Sequence, residues 1–356
     1  MQKNYQIKYL ITAVNSKAPI KIATGLAKYF CESNNVEIVY LNKKKSEDKI
    51  IQELIKKGIK VKKISFNDIL NTNKMSVVHS HGFLPDLILS FSKFIFPFKY
   101  RNTKAITTLH SDIDIDIKDR LSKKYSKIIC FIWKLLLRKL DHVVFLNKFT
   151  QEKYKKYTVD NSIVWNGLDL HDKKNNFYHE KIKSFSKGKF IIGSYGVLRK
   201  IKGFDTIIIA ATKIENCCFI IAGDGPEKKQ LTELIEKNKL KDKVLLLGNV
   251  DNAHQLIKYF DISVLPSKSE GFPLTAIEYI WANKKIICSD IPQFREIFSP
   301  LLDVEYFNSE DPNSLANTIQ TAIKKIEYKT EDYTLYYKKN LTVERMAKKY
   351  EEIYKA

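Results

Sequence analysis

Short apolar runs alternate with longer segments of helical periodicity along most of the chain, and this pattern occurs twice. In the first half, the apolar runs YLITAV, VEIVYL, SVVHSH and ITTLH are each followed by a segment with apolar residues at every third or fourth position. Strands that alternate with amphipathic helices are typical of parallel sheets covered by helices. After the polar segment 171–189 the alternation begins again at KFIIGSYG. We therefore predict an α/β fold with two Rossmann-like, doubly wound parallel sheets that face each other across a cleft.

The polar interruption and the polar last residues set the predicted domain limits. The first domain is predicted to comprise residues 1–170 and the second 188–330, with a charged linker over 171–187. Residues 331–356 are predicted to form helices that pack back toward the first domain. In parallel sheets, ligands bind at the carboxyl ends of the strands, where helix N-termini present unpaired N–H groups. We therefore expect the site residues in the loops that follow the apolar runs.

The charge of the chain is strongly positive and unevenly distributed. There are 61 Lys and Arg residues against 40 Asp and Glu, a net charge of +21, and residues 1–180 hold 33 of the basic and 17 of the acidic side chains. Such a surface is expected to attract nucleic acid, anionic lipid or a phosphorylated small molecule. No helix-turn-helix, zinc-finger or RNP pattern supports nucleic acid.

The cysteines and the hydropathy indicate a cytoplasmic protein. The five cysteines contain no C-x-x-C pair, which indicates neither a zinc site nor a disulfide framework. No apolar run approaches the ~20 residues needed to span a bilayer. We therefore expect any membrane contact to be peripheral.

The segment EGFPL at 270–274 follows the apolar run ISVLPS and leads to Glu278. Pro273 suits the first turn of a helix, Gly271 permits close approach of the backbone to a ligand, and the following amides would point at an anion. Carboxylates at Glu270 and Glu278 could bind the hydroxyls on either side of a phosphate, as a nucleotide sugar offers them. For this pair alone, the alternative is an ordinary helix with a surface glutamate and a strand-end glutamate.

Two further loops follow strand-like runs in the second half. The segment GVLRKIKG at 196–203 precedes a helix, so Lys202 and Arg199 would stand at a strand end where a pyrophosphate can be neutralised. Gly223-Asp-Gly225-Pro opens another helix. This turn resembles part of a dinucleotide fingerprint, but it lacks the third glycine and lies in the middle of its domain, which disfavours a dehydrogenase.

Together these motifs resemble those of the family 4 glycosyltransferases, which are retaining enzymes with the GT-B fold. That family shows a G-R-L-x-x-x-K-G segment, a G-x-G-P turn and two glutamates eight residues apart in a motif that begins E-G-F-P or E-G-F-G. The resemblance is closest over residues 160–300 and includes the NGLD turn at 166–169. The residues that match the three motifs are Gly196, Leu198, Lys202, Gly203, Gly223, Gly225, Pro226, Glu270 and Glu278.

The first half resembles the family more loosely. The segment HSHG at 79–82 is similar to the family's H-x-H segment, and His110 is similar to the strand-end histidine that lies beside the donor sugar. A structural role is the alternative for a lone histidine, and we expect it for His79. The sequence departs from the family at Val197, where the family has arginine, and at 16–19, where the family has a glycine pair.

The resemblance implies a retaining glycosyltransferase that moves a sugar from a nucleotide diphosphate sugar, a UDP- or GDP-sugar, to an acceptor hydroxyl. Lys202 would hold the pyrophosphate, Glu270 would contact the transferred sugar and His110 would lie near the reacting carbon. Donor binding would also involve Gly196, Arg199, Gly223, Gly225, Gly271, Phe272, Pro273, Leu274 and Glu278. The first domain would take the acceptor, which we expect to be a lipid-linked or growing surface polysaccharide such as capsule or O-antigen.

No metal or other cofactor is expected. Asp112, Asp114 and Asp116 are spaced like a metal-binding motif, but they follow His110 in the first domain and not a strand of the nucleotide site. We therefore interpret them as acceptor-side or structural residues.

A basic, aromatic segment of the first half has two interpretations. Residues 118–139 carry eight basic side chains and one acidic side chain around KIICFIWKLLLRKL, and FSKFIFPFKYR at 91–101 is similar in character. Basic residues interleaved with aromatic and leucine side chains suit a helix that rests on an anionic membrane. The alternative is a core helix with a solvated basic side. On the first interpretation the protein would lie on the inner face of the cytoplasmic membrane.

Two other classes of function remain open from the sequence. A sugar-nucleotide epimerase or phosphorylase would use a similar two-sheet cleft. A non-catalytic binder of lipid or nucleic acid would explain the charge, but it would leave Glu270, Glu278, Lys202 and the GDGP turn without a purpose.

Overall fold

The apolar runs form the strands of two parallel sheets, which confirms the predicted α/β class with two Rossmann-like domains. The computed structural model describes residues 5–65, 68, 76–171, 178–301, 303–325 and 332–356. It divides into two compact units: Met1–Asp169 with Lys339–Ala356, and Leu170–Lys338.

The first unit contains a seven-stranded sheet in the order β3-β2-β1-β4-β5-β6-β7. Its strands are β1 Gln6–Ile11, β2 Asn35–Tyr40, β3 Lys60–Lys63, β4 Val77–His81, β5 Lys104–Leu109, β6 His142–Phe145 and β7 Asn161–Ile163. The strand order reverses between β1 and β4, and parallel pairing places His81 of β4 opposite Thr108 of β5. The carboxyl ends of β4 and β5 therefore lie side by side.

The second unit contains a six-stranded sheet in the order β10-β9-β8-β11-β12-β13. Its strands are β8 Phe190–Tyr195, β9 Cys217–Ala222, β10 Val244–Gly248, β11 Ile262–Leu265, β12 Lys285–Ser289 and β13 Glu305–Phe307. The order reverses at β8 and β11, which are direct neighbours. Ligands of open parallel sheets bind at such a reversal, beyond the carboxyl ends of the strands.

Helices cover both sheets. In the first unit they are α1 Ala18–Phe30, α2 Asp48–Lys56, α3 Phe83–Ile95, α4 Ile113–Arg120, α5 Lys123–Leu137, α6 Lys148–Tyr154 and α14 Val343–Lys355. The second unit has α7 His179–Ser186, α8 Phe204–Ala211, α9 Lys228–Lys237, α10 Leu274–Trp281, α11 Pro292–Phe298, α12 Pro312–Lys324 and α13 Thr334–Asn340 at its C-terminal boundary. Among the described helices, none is long and apolar enough to cross a bilayer.

The limits of the two units differ in detail from the predicted domain limits. Helix α7 lies inside the segment 171–187 that was predicted as a linker, and Ile182 and Ser186 of this helix are buried. At the C-terminus, the residues from Lys339 onward belong to the first unit, whereas the described residues just before Lys339 belong to the second. The polar composition that marks a linker in the sequence thus also suits a short helix with one buried side.

Candidate functional site

Lys202 and Glu270 form an ion pair at the carboxyl edge of the second sheet. Lys202 closes the 3-10 turn Lys200–Lys202 that follows β8, and Glu270 lies in the loop that follows the neighbouring strand β11. The Nζ atom of Lys202 lies 2.5 Å from Oε1 of Glu270, which also accepts a hydrogen bond of 2.6 Å from Ser267 Oγ. Glu270 is 9% exposed and the lysine side chain 28%. The lysine ammonium is therefore anchored by a buried carboxylate and still reaches solvent.

The lysine turn is held in place by Gly203. This residue has a φ of +67°, and a Cβ atom at this position would lie 2.2 Å from the carbonyl oxygen of Pro266 in the β11 loop. Only glycine permits both the left-handed conformation and this close approach. Gly203 thereby brings the turn that carries Lys202 against the loop that carries Glu270.

Glu278 is bound by a tyrosine that the sequence motifs did not indicate. The glutamate lies on α10 and is 6% exposed, and Oε2 accepts a hydrogen bond of 2.6 Å from the hydroxyl of Tyr195, the last residue of β8. Burial, and next the charge of Glu278, hold the pKa of Tyr195 well above its usual value. The tyrosine therefore stays protonated and donates to the carboxylate. The only sequence signal for it is its position directly before Gly196.

Gly223 and Gly225 are required by the packing of two loops. A Cβ atom on Gly223 would lie 1.9 Å from the carbonyl oxygen of Gly196, and one on Gly225 would lie 2.4 Å from that of Leu198. The same loops are joined by a 2.9 Å hydrogen bond from the Leu198 amide to the Asp224 carbonyl. These glycines therefore fix the loops after β8 and β9 whether or not they also contact a ligand.

The EGFPL segment is buried up to the start of α10. Gly271, Phe272, Pro273 and Leu274 are all buried, and the helix itself begins at Leu274. Pro273 is the N-cap residue and has an extended conformation. It therefore lies directly before the first helical turn, and not within that turn as its sequence position suggests. Its carbonyl accepts a hydrogen bond of 3.1 Å from the Ala276 amide.

Arg199 is half-buried, and Val197, in place of the family's arginine, is 53% exposed. The amide of Arg199 donates to the carbonyl of Val197 at 2.8 Å, so the two residues belong to one tight turn after β8. Arg199 precedes the 3-10 turn that carries Lys202. The structure thus places this arginine on the same loop as the lysine.

In the first unit, His79 is fully buried and both of its ring nitrogens are bonded inside the fold. Nδ1 lies 2.8 Å from the hydroxyl of Tyr354 on α14, and Nε2 lies 2.9 Å from Thr108 Oγ1 on β5. Burial holds the pKa of His79 well below its usual value, so the ring is neutral. The contacts of His79 are those of a residue that ties the last helix to the sheet.

His110 follows β5 and is partly exposed at the edge of the first sheet. Its Nε2 lies 2.8 Å from Nδ1 of His81, the last residue of β4. Burial lowers the pKa of His110 to about 3 and that of His81 well below its usual value. Two neutral imidazoles satisfy this contact, since one nitrogen donates and the other accepts. His81 therefore orients His110.

The three aspartates after His110 form hydrogen bonds or ion pairs within the first unit. Asp112 is 2% exposed, caps α4 through the Ile115 amide and accepts a 2.7 Å hydrogen bond from Tyr154. Asp114 pairs with Lys134 at 2.7 Å, and hydrogen bonds and basic neighbours lower its pKa to about 2 despite partial burial. Asp116 pairs with an arginine one helical turn later. Within the described residues, no group of three or more His, Cys, Asp or Glu side chains is arranged to hold a metal ion.

The structure therefore brings the predicted site residues into separate sets. Lys202 and Glu270 are in contact, and Glu278 lies on the helix that follows the Glu270 loop. His110 belongs to the first unit and is in contact with His81. The supporting residues Ser267, Tyr195 and His81 were not assigned from the sequence, because their roles depend on which strands are neighbours.

Comparisons with known proteins agree with these features. The model of the Glycosyl transferases group 1 family matches residues 176–339, and that of Glycosyltransferase Family 4 matches residues 56–172. The chain is 28% identical to the O-antigen biosynthesis glycosyltransferase WclY of Escherichia coli, over 98% of both proteins. It is 26% identical to the O-antigen chain mannosyltransferase RfbU of Salmonella typhimurium, over 64% of this chain and 66% of that protein.

The fold is similar to that of a solved glycosyltransferase from Rickettsia africae, with a TM-score of 0.73 at 18% identity over 99% of this chain and 98% of that chain. Anabaena HepE, solved in complex with UDP and glucose, superimposes with a TM-score of 0.82 at 14% identity, over 98% of this chain and 99% of that protein. The two family models lie on the two units and together match more than three quarters of the sequence. The chain is therefore a glycosyltransferase, a member of the group 1 and family 4 glycosyltransferases with the GT-B type of fold.

Proposed function

We propose that this enzyme transfers a sugar from a nucleotide diphosphate sugar to an acceptor hydroxyl and retains the anomeric configuration. The observation that carries the proposal is the ion pair of Lys202 with Glu270 at the edge of the second sheet where the strand order reverses, together with Glu278 on the helix that follows the Glu270 loop. A phosphate-binding cation and two carboxylates, which bind hydroxyl groups, suit a ligand with a pyrophosphate between two sugars. HepE has been solved with UDP-glucose, which supports a UDP-sugar as the first donor to test.

The chemical demand of this reaction is the negative charge that develops on the departing nucleotide diphosphate. We assign Lys202 to this charge, with help from Arg199 and from the backbone amides after Gly271. A fixed ammonium can supply the positive charge that a metal supplies in other transferases. We therefore propose that the enzyme needs no metal.

The carboxylates and His110 are assigned to the sugars. Glu278, held by Tyr195, would bind the ribose hydroxyls, and Glu270 would bind the transferred sugar. His110 is neutral, so it would contact the reacting sugar by hydrogen bonding and not by charge. The departing phosphate would take the proton from the acceptor hydroxyl on the same face of the sugar, which gives retention.

We propose a surface polysaccharide, in the first place an O-antigen, as the product to which the enzyme contributes. The support is the similarity to WclY over nearly the whole length of both proteins. Such glycans grow on lipid carriers, so the enzyme would work at the inner face of the cytoplasmic membrane. The excess of basic residues in the first half suits this location.

The central test compares two lysines of one turn. Lys202→Ala should lower kcat by about a hundredfold or more, since one preorganised charge on a transition state is worth roughly 3 to 4 kcal/mol. Lys200→Ala, an exposed neighbour in the same turn, should leave kcat within about twofold. The measurement is nucleotide release from a panel of UDP- and GDP-sugars, with acceptor extracted from membranes.

Four results would contradict the proposal. Near-normal transfer by the Lys202 variant would remove the phosphate role of this lysine. Conversion of the donor into another nucleotide sugar, with no acceptor present and no free sugar released, would indicate an epimerase. Loss of activity with EDTA and recovery with a divalent ion would overturn the metal-free mechanism. An inverted anomeric configuration in the NMR spectrum of the product would overturn retention.

A further inference from the structure

Large apolar side chains are exposed mainly on one pair of helices in the first unit. Of the sixteen large apolar residues that are exposed in the described structure, ten lie on α3, on α5 or in the 3-10 turn Pro97–Tyr100. Phe98 is 91% exposed, Phe94 67% and Phe131 63%. The others of this group, which we call the apolar stripe, are Leu84, Phe91, Ile95, Tyr125, Ile128, Ile132 and Leu135. The surface of a monomeric protein rarely carries so many large apolar side chains together, unless that surface binds a protein, a ligand or a membrane.

The stripe is the outer face of α5 and not its contact with the sheet. At 100° per residue, the exposed positions from Tyr125 to Leu135 fall within an arc of about 120°. The buried positions Ser126, Cys130, Trp133 and Leu137 occupy an arc roughly opposite to it. The helix therefore has two apolar faces, of which one is covered by the core. The second apolar face is not explained by the interpretation of a core helix with a solvated basic side.

The exposed faces of α3 and α5 belong to one surface. Both helices connect strands that succeed one another in the same direction across the sheet, β4 to β5 and β5 to β6, so right-handed connections place them on the same face. They are in contact through the rings of Phe83 and Trp133, 5.4 Å apart, and through the hydrogen bond from Trp133 to Asp86. Lys139, after α5, lies 5.4 Å from the ring centre of Phe94 on α3.

Basic residues accompany the stripe. The sequence of α5, KKYSKIICFIWKLLL, contains four lysines and no acidic residue. Lys123, Lys124 and Lys127 are exposed in its first two turns, and Arg138 and Lys139 are exposed just beyond its last turn. Apolar and aromatic side chains flanked by lysines are the composition of helices that lie in the interface of an anionic bilayer. Two copies of this face would bring lysines together, which disfavours a second copy of the chain as the occupant.

We infer that the stripe on α3 and α5 is a docking surface for an anionic lipid bilayer. The phenylalanines enter the boundary between headgroups and acyl chains, and the lysines around them contact the lipid phosphates. This inference deepens the proposed membrane location by naming the surface. Its test requires neither donor nor acceptor, so its failure is distinguishable from failure of the proposed transfer reaction.

The test is flotation of the full chain with vesicles of phosphatidylcholine alone or of phosphatidylcholine and phosphatidylglycerol in equal parts. We expect binding to the anionic vesicles at low salt. Phe94→Ser/Phe98→Ser/Phe131→Ser should weaken it by about tenfold or more, because three apolar anchors are lost. Control variants Val159→Ser and Leu335→Ser, which are 74% and 76% exposed outside the stripe, should bind as the natural chain does.

The charge is tested by Lys124→Glu/Lys127→Glu, which should weaken binding by roughly tenfold or more, since each lysine near an anionic surface contributes on the order of fivefold. The same change at the exposed Lys229 and Lys237 of α9 is the control. Equal binding by the stripe variants and their controls would overturn the inference. So would the absence of binding to anionic vesicles, or self-association that the phenylalanine variants abolish. Thermal unfolding followed by circular dichroism shows whether each variant is folded as the natural chain is, and it requires neither donor nor acceptor.

Discussion

Burial fixes the ionisation of the histidines on the first sheet. The pKa of His110 is lowered to about 3, and those of His79 and His81 lie well below their usual value. The folded protein therefore keeps the rings of His79, His81 and His110 neutral at pH values where the unfolded chain, with pKa values near 6.5, takes up protons. Protonation of the unfolded state should make the first unit sensitive to acid.

We predict that the stability of the first unit is nearly constant between about pH 6.5 and pH 8 and falls as the pH decreases below this range. It should also fall at alkaline pH, because burial raises the pKa of Cys31, Cys130 and Tyr350. Each buried histidine can contribute up to about 1.4 kcal/mol per pH unit. Burial raises the pKa of Asp86 to about 6, and this opposes the trend, because the folded state then binds the extra proton between pH 3.8 and about 6. One carboxyl group against four histidines, since burial also lowers the pKa of His142 on β6, should reduce the slope without reversing it.

The measurement is urea unfolding by tryptophan fluorescence in a Trp281→Phe background. The remaining tryptophans, Trp133 and Trp165, both lie in the first unit and report on it alone. His110→Gln should flatten the pH dependence, whereas His179→Gln, at a ring that is 46% exposed in the second unit, should not. A slope that is unchanged by His110→Gln would show that its ring is not kept neutral by the fold.

The site residues that the sequence predicts are those whose identity is fixed by local chemistry. Glu270, Lys202 and Gly203 stand in short motifs whose spacing follows from a turn after a strand. Tyr195 and His81 are different, because a tyrosine or a histidine at a strand end is compatible with many roles. Their partners, Glu278 and His110, are 83 and 29 residues distant in sequence. Such pairs become visible only when the strand order is known.

The turn after β8 depends on close backbone contact with the loop after β11. Gly203→Ala would place a methyl group 2.2 Å from the Pro266 carbonyl in a conformation with a φ of +67°. We predict a loss of stability of about 2 kcal/mol or more and a weaker affinity for the donor, because the turn that carries Lys202 must shift. Thermal unfolding and donor titration measure the two effects.

Gly188 provides the matched control for this glycine. Its φ of +78° is similar, but nothing lies within 4 Å of a Cβ atom at that position. Gly188→Ala should therefore cost about 1 kcal/mol from backbone strain alone and leave donor affinity unchanged. Equal effects of the two substitutions would mean that the contact with Pro266 does not hold the turn.

Element periodicity explains what the sequence could and could not predict about α5. The apolar positions every three or four residues predict a helix over this segment correctly, because that period is a local property. The sequence could not decide between a core helix and a membrane-facing helix, since α5 is apolar on two sides. Exposure of Phe131 and burial of Trp133, two residues apart, separate the two faces.

The last helix of the chain, α14, packs on the first unit. Helix α14 contributes Tyr350 and Tyr354, whose hydroxyls lie 2.7 Å from Thr108 Oγ1 and 2.8 Å from His79 Nδ1. The loop before this helix lies against Gly167, where a Cβ atom would be 2.1 Å from the Thr342 carbonyl. The last residues of the chain therefore complete the core of the first unit, whose strands come from residues 6–163. These contacts join residues that are far apart in sequence. The periodicity of α14 therefore predicts a helix, but it does not predict which strands this helix contacts.

The first sheet, and not the second, should depend on Tyr354. Tyr354→Ala should destabilise the first unit by about 3 to 5 kcal/mol, as expected for removal of a large buried aromatic side chain. Hydrogen exchange should show lost protection in peptides from β1, β4 and β5 before those from β8 and β9. Tyr333→Ala, at a fully buried tyrosine of the second unit, should give the opposite order. The same order of loss in both variants would contradict the assignment of the C-terminal helix to the first core, because each substitution opens a cavity in only one of the two cores.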